Sequence, residues 1–156
     1  CSPIDLSASG HAIDTGFNKA VYARMFLASM KPRAMQKLQQ FPGLFDQQEL
    51  LAANTLYAFD DVFTAPLHGF KDAGDYWTRA SAKPGLSQVQ VPALVLNARN
   101  DPFIPATSLP NQAQVSQHVT LWQPETGGHV GFASGNFPAN LKEMPSAVLE
   151  WMTQHG

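Results

Sequence analysis

The pattern of apolar and polar positions changes near residue 88. Before that point apolar residues recur at helical spacing; after it they gather into short continuous runs. Phe17, Ala20, Val21, Arg24, Met25 and Ala28 fall at i, i+3, i+4, i+7, i+8 and i+11, one helix face that is apolar except for Arg24. Tyr22, Phe26, Leu27 and Met30 widen the face, so much of this helix needs cover. Asp14 or Thr15 is its expected N-cap. Pro32 suits the first turn of a second helix, with Ala34, Met35 and Leu38 as its face and Phe41-Pro42-Gly43 as its stop. Asp46 with Glu49 predicts the start of a short helix carrying Leu50 and Leu51. Phe70, Ala73, Trp77 and Ala80 predict a further helix with Tyr76 at its flank, and Ala82-Lys83-Pro84-Gly85 reads as a connector.

Beyond residue 88 the period shortens. Val91-Pro92-Ala93-Leu94-Val95-Leu96 is a continuous apolar run, the pattern of a strand buried on both faces in a parallel sheet. Pro92 fits only near its start, because proline has no N–H for the ladder. His118-Val119-Thr120-Leu121-Trp122 predicts a second strand. Residues 98–117 are enough for a crossover between parallel neighbours, with only a short helix because Pro105 and Pro110 interrupt it. The last helix is expected from about Pro145 to Gln154, with Val148, Leu149 and Met152 as its apolar face and Trp151 beside them.

Composition narrows the classes. The 156 residues are about one domain's worth, 44% of them hydrophobic and 14% charged. So few charges argue against disorder. A net charge of −2 lacks the basic footprint of a nucleic-acid binder. No apolar run approaches the roughly 20 residues of a membrane helix. The single cysteine, Cys1, excludes a disulfide framework and a cysteine zinc site. No basic-then-apolar leader is present, and the expected compartment is the cytoplasm. His11, His68, His118 and His155 read as surface or structural; no two histidines have the helical spacing of a metal pair, and no metal is expected. The glycines match neither a P-loop nor a dinucleotide fingerprint, and no cofactor is expected.

Each predicted strand runs into a loop with one chemically suggestive residue. The first is Asn97-Ala98-Arg99-Asn100-Asp101-Pro102-Phe103-Ile104-Pro105; the second is Glu125-Thr126-Gly127-Gly128-His129-Val130-Gly131-Phe132. Parallel strands joined by a right-handed crossover present their C-terminal ends on one edge, ~4.8 Å apart, where open α/β sheets bind ligands. Asp101 and His129 can therefore meet. An imidazole exchanges protons near neutral pH, and a carboxylate on its far nitrogen fixes the tautomer. Taken singly, each residue also suits an ordinary turn. Such a pair activates a nucleophile, usually the serine of a G-x-S-x-G elbow, in the chain order serine, acid, histidine. No serine here fits, including Ser9 and Ser134, and no H-G-G-G segment is present. From their loop positions, Phe103, Val130 and Phe132 are candidates for lining an acyl pocket.

The sequence resembles the C-terminal half of the α/β-hydrolases, specifically the YheT-like hydrolases. Cys1-Ser2-Pro3-Ile4-Asp5-Leu6 resembles the segment after a central strand, and Phe59-Asp60-Asp61-Val62-Phe63-Thr64-Ala65-Pro66-Leu67-His68-Gly69-Phe70 with Asp75-Tyr76 resembles the lid signature. Asn100-Asp101-Pro102-Phe103 resembles the acid loop, and Gly127-Gly128-His129-Val130-Gly131-Phe132 the histidine loop. The resemblance implies an α/β fold: a post-strand segment and helical lid over residues 1–88, then the C-terminal part of the hydrolase core over 89–156, with two parallel strands and a final helix. It implies a serine carboxylic-ester hydrolase acting on a small-molecule ester, with Asp101 and His129 as acid and base. The nucleophile-bearing N-terminal half would be its partner, and the chain alone is expected to be inactive. An inactive pairing module, or an acyltransferase using the same groups, is the alternative. Without that half, an apolar patch larger than the ~300–600 Å² of ordinary monomers is expected on the surface.

Overall fold

The computed structural model describes residues 1–136 and 138–155. They form two compact units: Asp5–Ser81, and Cys1–Ile4 joined to the segment from Ala82 onward.

The first unit is helical and held by side-chain caps. Helix Leu6–Ile13 starts at Asp5, whose carboxylate accepts the Ala8 N–H at 3.0 Å. Ser7, Ser9 and Gly10 hide this helix from a propensity reading. Gly10 is there for contact: a Cβ on it would lie 2.4 Å from the Trp77 ring. Thr15 precedes the next helix as expected. That helix is continuous through three pieces, Gly16–Asn18, a π-helical turn Lys19–Ala23, and Arg24–Gln40.

Two expectations change here. Pro32 lies inside the helix and starts no new one. The carbonyl its missing N–H would have paired belongs to Ala28, an exposed residue, so water can take that role. The face through Phe17, Val21 and Met25 is not covered: these residues are 72%, 42% and 56% exposed. The π turn carries an extra residue and shifts the phase, so the inward positions are Ala23, Leu27, Met30 and Ala34. Leu27 and Ala34 form the core with Leu50, Ala53 and Phe59.

Asp46 caps Gln47–Ala52 by accepting the Glu49 N–H at 2.8 Å. Of its two leucines only Leu50 is buried; Leu51 is exposed. The lid-signature stretch is itself helical: Leu56–Phe59, capped by Thr55, runs into a π-helical turn Asp60–Thr64 and then Ala65–Leu67. Asp14 accepts the N–H groups of Leu56 and Tyr57 at 2.6 and 2.9 Å. Asp72 caps Ala73–Ala80, in which Ala73 and Trp77 are buried while Ala80 is exposed; Phe70 precedes this helix. Asp60 accepts from Thr64 Oγ1 and Trp77 Nε1, at 2.5 and 2.7 Å. Burial pushes its carboxyl above the ordinary range, against the pull of these two donors.

In the second unit, β1 (Ala93–Leu96) pairs in parallel with β2 (Val119–Trp122), in register Ala93↔Val119 to Leu96↔Trp122. β1 begins after Pro92, and Val91 is 65% exposed. The expectation of a strand buried on both faces is not met: all four β1 residues are half-buried. Among the described residues the sheet has only two strands, so β1 lacks a second neighbour. The crossover holds only two single turns of 3₁₀ helix, Ala106–Ser108 and Gln112–Gln114. The closing helix is Glu143–His155. Its expected apolar face is largely outward, with Leu149 and Met152 63% and 57% exposed. Ala147 and Trp151 instead share a groove with Leu94, Leu121 and Trp122 of the sheet. Among the described residues no helix is long and apolar enough to cross a membrane.

Candidate active site

The parallel ladder continues past the strands and delivers two loops to one edge. Asn97 N–H donates to Trp122 O at 3.0 Å, and Arg99 N–H to Pro124 O at 2.8 Å. The acid loop then turns tightly. Asp101 N–H reaches Ala98 O at 3.3 Å, and Asp101 Oδ1 accepts the Phe103 N–H at 2.8 Å. This Asx-type turn leaves Asp101 Oδ2 aimed away from its own loop.

That oxygen meets the second loop. Asp101 Oδ2 and His129 Nδ1 are 2.8 Å apart, a hydrogen bond between side chains 28 residues apart in sequence. The Asp101 side chain is 0% exposed, the His129 side chain 34%. The acid is sealed and already bonded at both oxygens, whereas part of the imidazole stays open. Nδ1 is the committed ring nitrogen, so Nε2 is the one left for outside chemistry.

The histidine loop depends on unusual backbone geometry. Gly128 has φ +64°, where an L side chain is disfavoured. Gly127 sits against the Phe132 ring, which a Cβ would approach to 2.6 Å. Phe132 itself has φ +46° and donates its N–H to Gly127 O at 2.7 Å, closing the loop on itself. A bulky residue in the left-handed region marks stored strain.

The three candidate pocket residues lie in different settings. Phe103 packs edge-on against His129, ring centroids 4.9 Å apart. Val130, next to the histidine, is 73% exposed. Phe132 is buried and borders a groove with Trp122, Pro124 and Met144.

Two further residues reach the site, Asn100 and Cys1, which fell within quoted motifs but were not candidates for it. Asn100 Oδ1 accepts the Gly128 N–H at 2.9 Å. Cys1 Sγ accepts the Ala98 N–H at 3.1 Å and donates to Gly128 O at 3.3 Å. Both are long-range contacts between loop residues, whose pairing neither periodicity nor spacing encodes. Among the described residues no group of three or more histidine, cysteine or acidic side chains could hold a metal ion.

No family model and no solved structure matches the chain. Curated proteins do. YheT of Escherichia coli strain K12, an esterase by name, is 32% identical over 156 residues, 99% of this chain and 46% of the relative. The human phospholipase ABHD3 is 32% identical over 153 residues, 96% of this chain and 37% of the relative. A monoacylglycerol lipase of Saccharomyces cerevisiae is 27% identical over 137 residues, 84% of this chain and 30% of the relative. The chain thus spans less than half the length of these relatives.

Proposed function

From a chain that corresponds to the C-terminal part of the YheT-like α/β-hydrolases, we propose that Asp101 and His129 are the acid and base of a serine carboxylic-ester hydrolase. The observation that carries this reading is the 2.8 Å bond from a fully buried carboxylate oxygen to one nitrogen of a partly open imidazole. None of the serines here sits in G-x-S-x-G, so in this reading the nucleophile comes from outside these 156 residues.

In the proposed reaction His129 Nε2 takes the serine proton as the hydroxyl attacks the ester carbonyl. Asp101 holds the Nδ1–H tautomer and stabilises the imidazolium that forms. His129 then returns the proton to the leaving alcohol. Water, activated by the same nitrogen, releases the acyl group; an alcohol in its place would give acyl transfer. Phe103 and Val130 flank His129 and supply apolar surface for the acyl or alcohol part, and Phe132 underlies the loop that carries it. Esterase, phospholipase and lipase names among the relatives support ester hydrolysis.

The test is a fusion of the N-terminal part of the Escherichia coli relative to this chain, assayed on short-chain p-nitrophenyl esters. The fusion should turn over substrate and the 156-residue chain alone should not. His129→Ala in the fusion should lower the rate by at least about a thousandfold. A folded fusion that keeps its rate with His129→Ala contradicts the proposal. So does turnover by the chain alone that His129→Ala abolishes, because it would place the nucleophile inside these residues.

A further inference from the structure

Besides the Phe103 packing on His129 and the Arg99–Glu125 ion pair, the acid loop makes side-chain hydrogen bonds to two successive residues of the histidine loop. One is the bond from Asp101 Oδ2 to the imidazole. The other is one residue earlier on both loops, where the Gly128 N–H donates to Asn100 Oδ1 at 2.9 Å. We propose that Asn100 is a positioning residue for His129, acting through the Gly128 peptide; this rests on the reading of His129 as the base.

The physical case starts from the weakness of the loop. Gly128 lies at φ +64°, with open space where a side chain would be, so hydrogen bonds rather than side-chain packing set its peptide planes. Besides the bonds at Pro124 and Gly127, the carbonyls of Gly128 and His129 accept from Cys1 Sγ and the Cys1 ammonium at 3.3 and 3.0 Å, which leaves the Gly128 N–H as the point that only Asn100 holds. The His129 ring is bonded at Nδ1 and packed on one side by Phe103, and its remaining freedom is to swing with the backbone that carries it. Fixing the peptide N–H of the preceding residue limits that swing, because Gly128 ψ and His129 φ then start from a defined plane. Successive residues of one loop, Asn100 and Asp101, thus grip successive residues of the other, Gly128 and His129. Supporting bonds of this kind set how closely a functional side chain keeps its productive geometry. The device needs an acceptor at position 100 that is one carbon longer than the backbone, which asparagine and aspartate supply and alanine does not.

The experiment uses the whole 156-residue chain labelled with ¹⁵N, reading Gly128 amide exchange and the His129 ring nitrogens by NMR. Asn100→Ala should speed Gly128 amide exchange by about five- to tenfold and shift the His129 ring nitrogens towards values averaged over free and Asp101-bonded rings. Asn100→Asp keeps an oxygen acceptor and should restore slow Gly128 exchange. Thermal melting of Asn100→Ala close to the parent's shows that the fold is kept. Unchanged Gly128 exchange in Asn100→Ala overturns the proposal. Faster exchange with an unaltered His129 spectrum also overturns it, since Asn100 would then be only a local tie. Asp101→Asn separates the two ideas: it should disturb the ring nitrogens while leaving Gly128 exchange slow. If the parent His129 is not in the Nδ1–H form, the acid–base reading fails, whatever Gly128 does.

Discussion

The two units differ in how completely they bury their own apolar residues. The helical unit closes a core of Leu27, Ala34, Leu50, Ala53 and Phe59, and aspartate or threonine side chains cap several of its short helices. The unit with the two strands carries the acid–base pair but is thinly covered. Its β1 is half-buried throughout, and no residue of its closing helix is buried. Chemistry and packing are therefore unevenly shared. The pair is held by hydrogen bonds between loops and by Phe103, whereas the helical unit adds a closed apolar core to its capping hydrogen bonds.

Mutations should separate these two kinds of cohesion. The largest effect is expected in the helical core. Leu50 is 0% exposed, and Leu50→Ala should cost ~2–5 kcal/mol of stability, measured by denaturant unfolding. A loss below about 0.5 kcal/mol would mean the cluster is not the core.

An intermediate effect should appear in the pH dependence of the same unit. Burial raises the carboxyl of Asp60, so the folded state holds this proton more tightly than the unfolded state does. Its contribution to stability is full below the ordinary aspartate range, ~4, and is lost as pH rises through the raised folded value. Asp75 works in the opposite sense. The Lys71 N–H, with Arg79 nearby, holds its carboxyl low, so its contribution is present above the ordinary range and lost as pH falls through the lowered value. Asp60→Asn should therefore flatten the decline in melting temperature between pH ~4 and neutrality. An undiminished decline would assign it to other groups.

The smallest effect is expected in the other unit. Leu149 on the closing helix is 63% exposed, and Leu149→Ala should change stability by no more than about 0.5 kcal/mol. A loss as large as that of Leu50→Ala would erase the contrast between the units.

What the sequence made legible followed physical range. Asp101 and His129 were readable because each follows a short apolar run, and parallel strands bring their ends to one edge. Asn100 and Cys1 were not, because their bonds to the Gly128 peptide depend on loop conformation. The long helix was legible as a helix but not in its inward face, because the π-helical turn at Lys19–Ala23 breaks the 3.6-residue phase. Pro32 looked like a start and lies inside, at a solvent-facing position where the lost bond is easily replaced. The apolar positions Leu149 and Met152 predicted an inward face and point outward, since Ala147 and Trp151 take the side towards the sheet.

The central claim is the bond between the sealed carboxylate and the half-open imidazole. Long-range ¹H–¹⁵N correlation of the His129 ring above the pH at which it ionises reads that bond directly. The account predicts a neutral ring protonated at Nδ1, changing to the Nε2–H form in Asp101→Asn. A ring protonated at Nε2 in the parent chain, unchanged by Asp101→Asn, would contradict it.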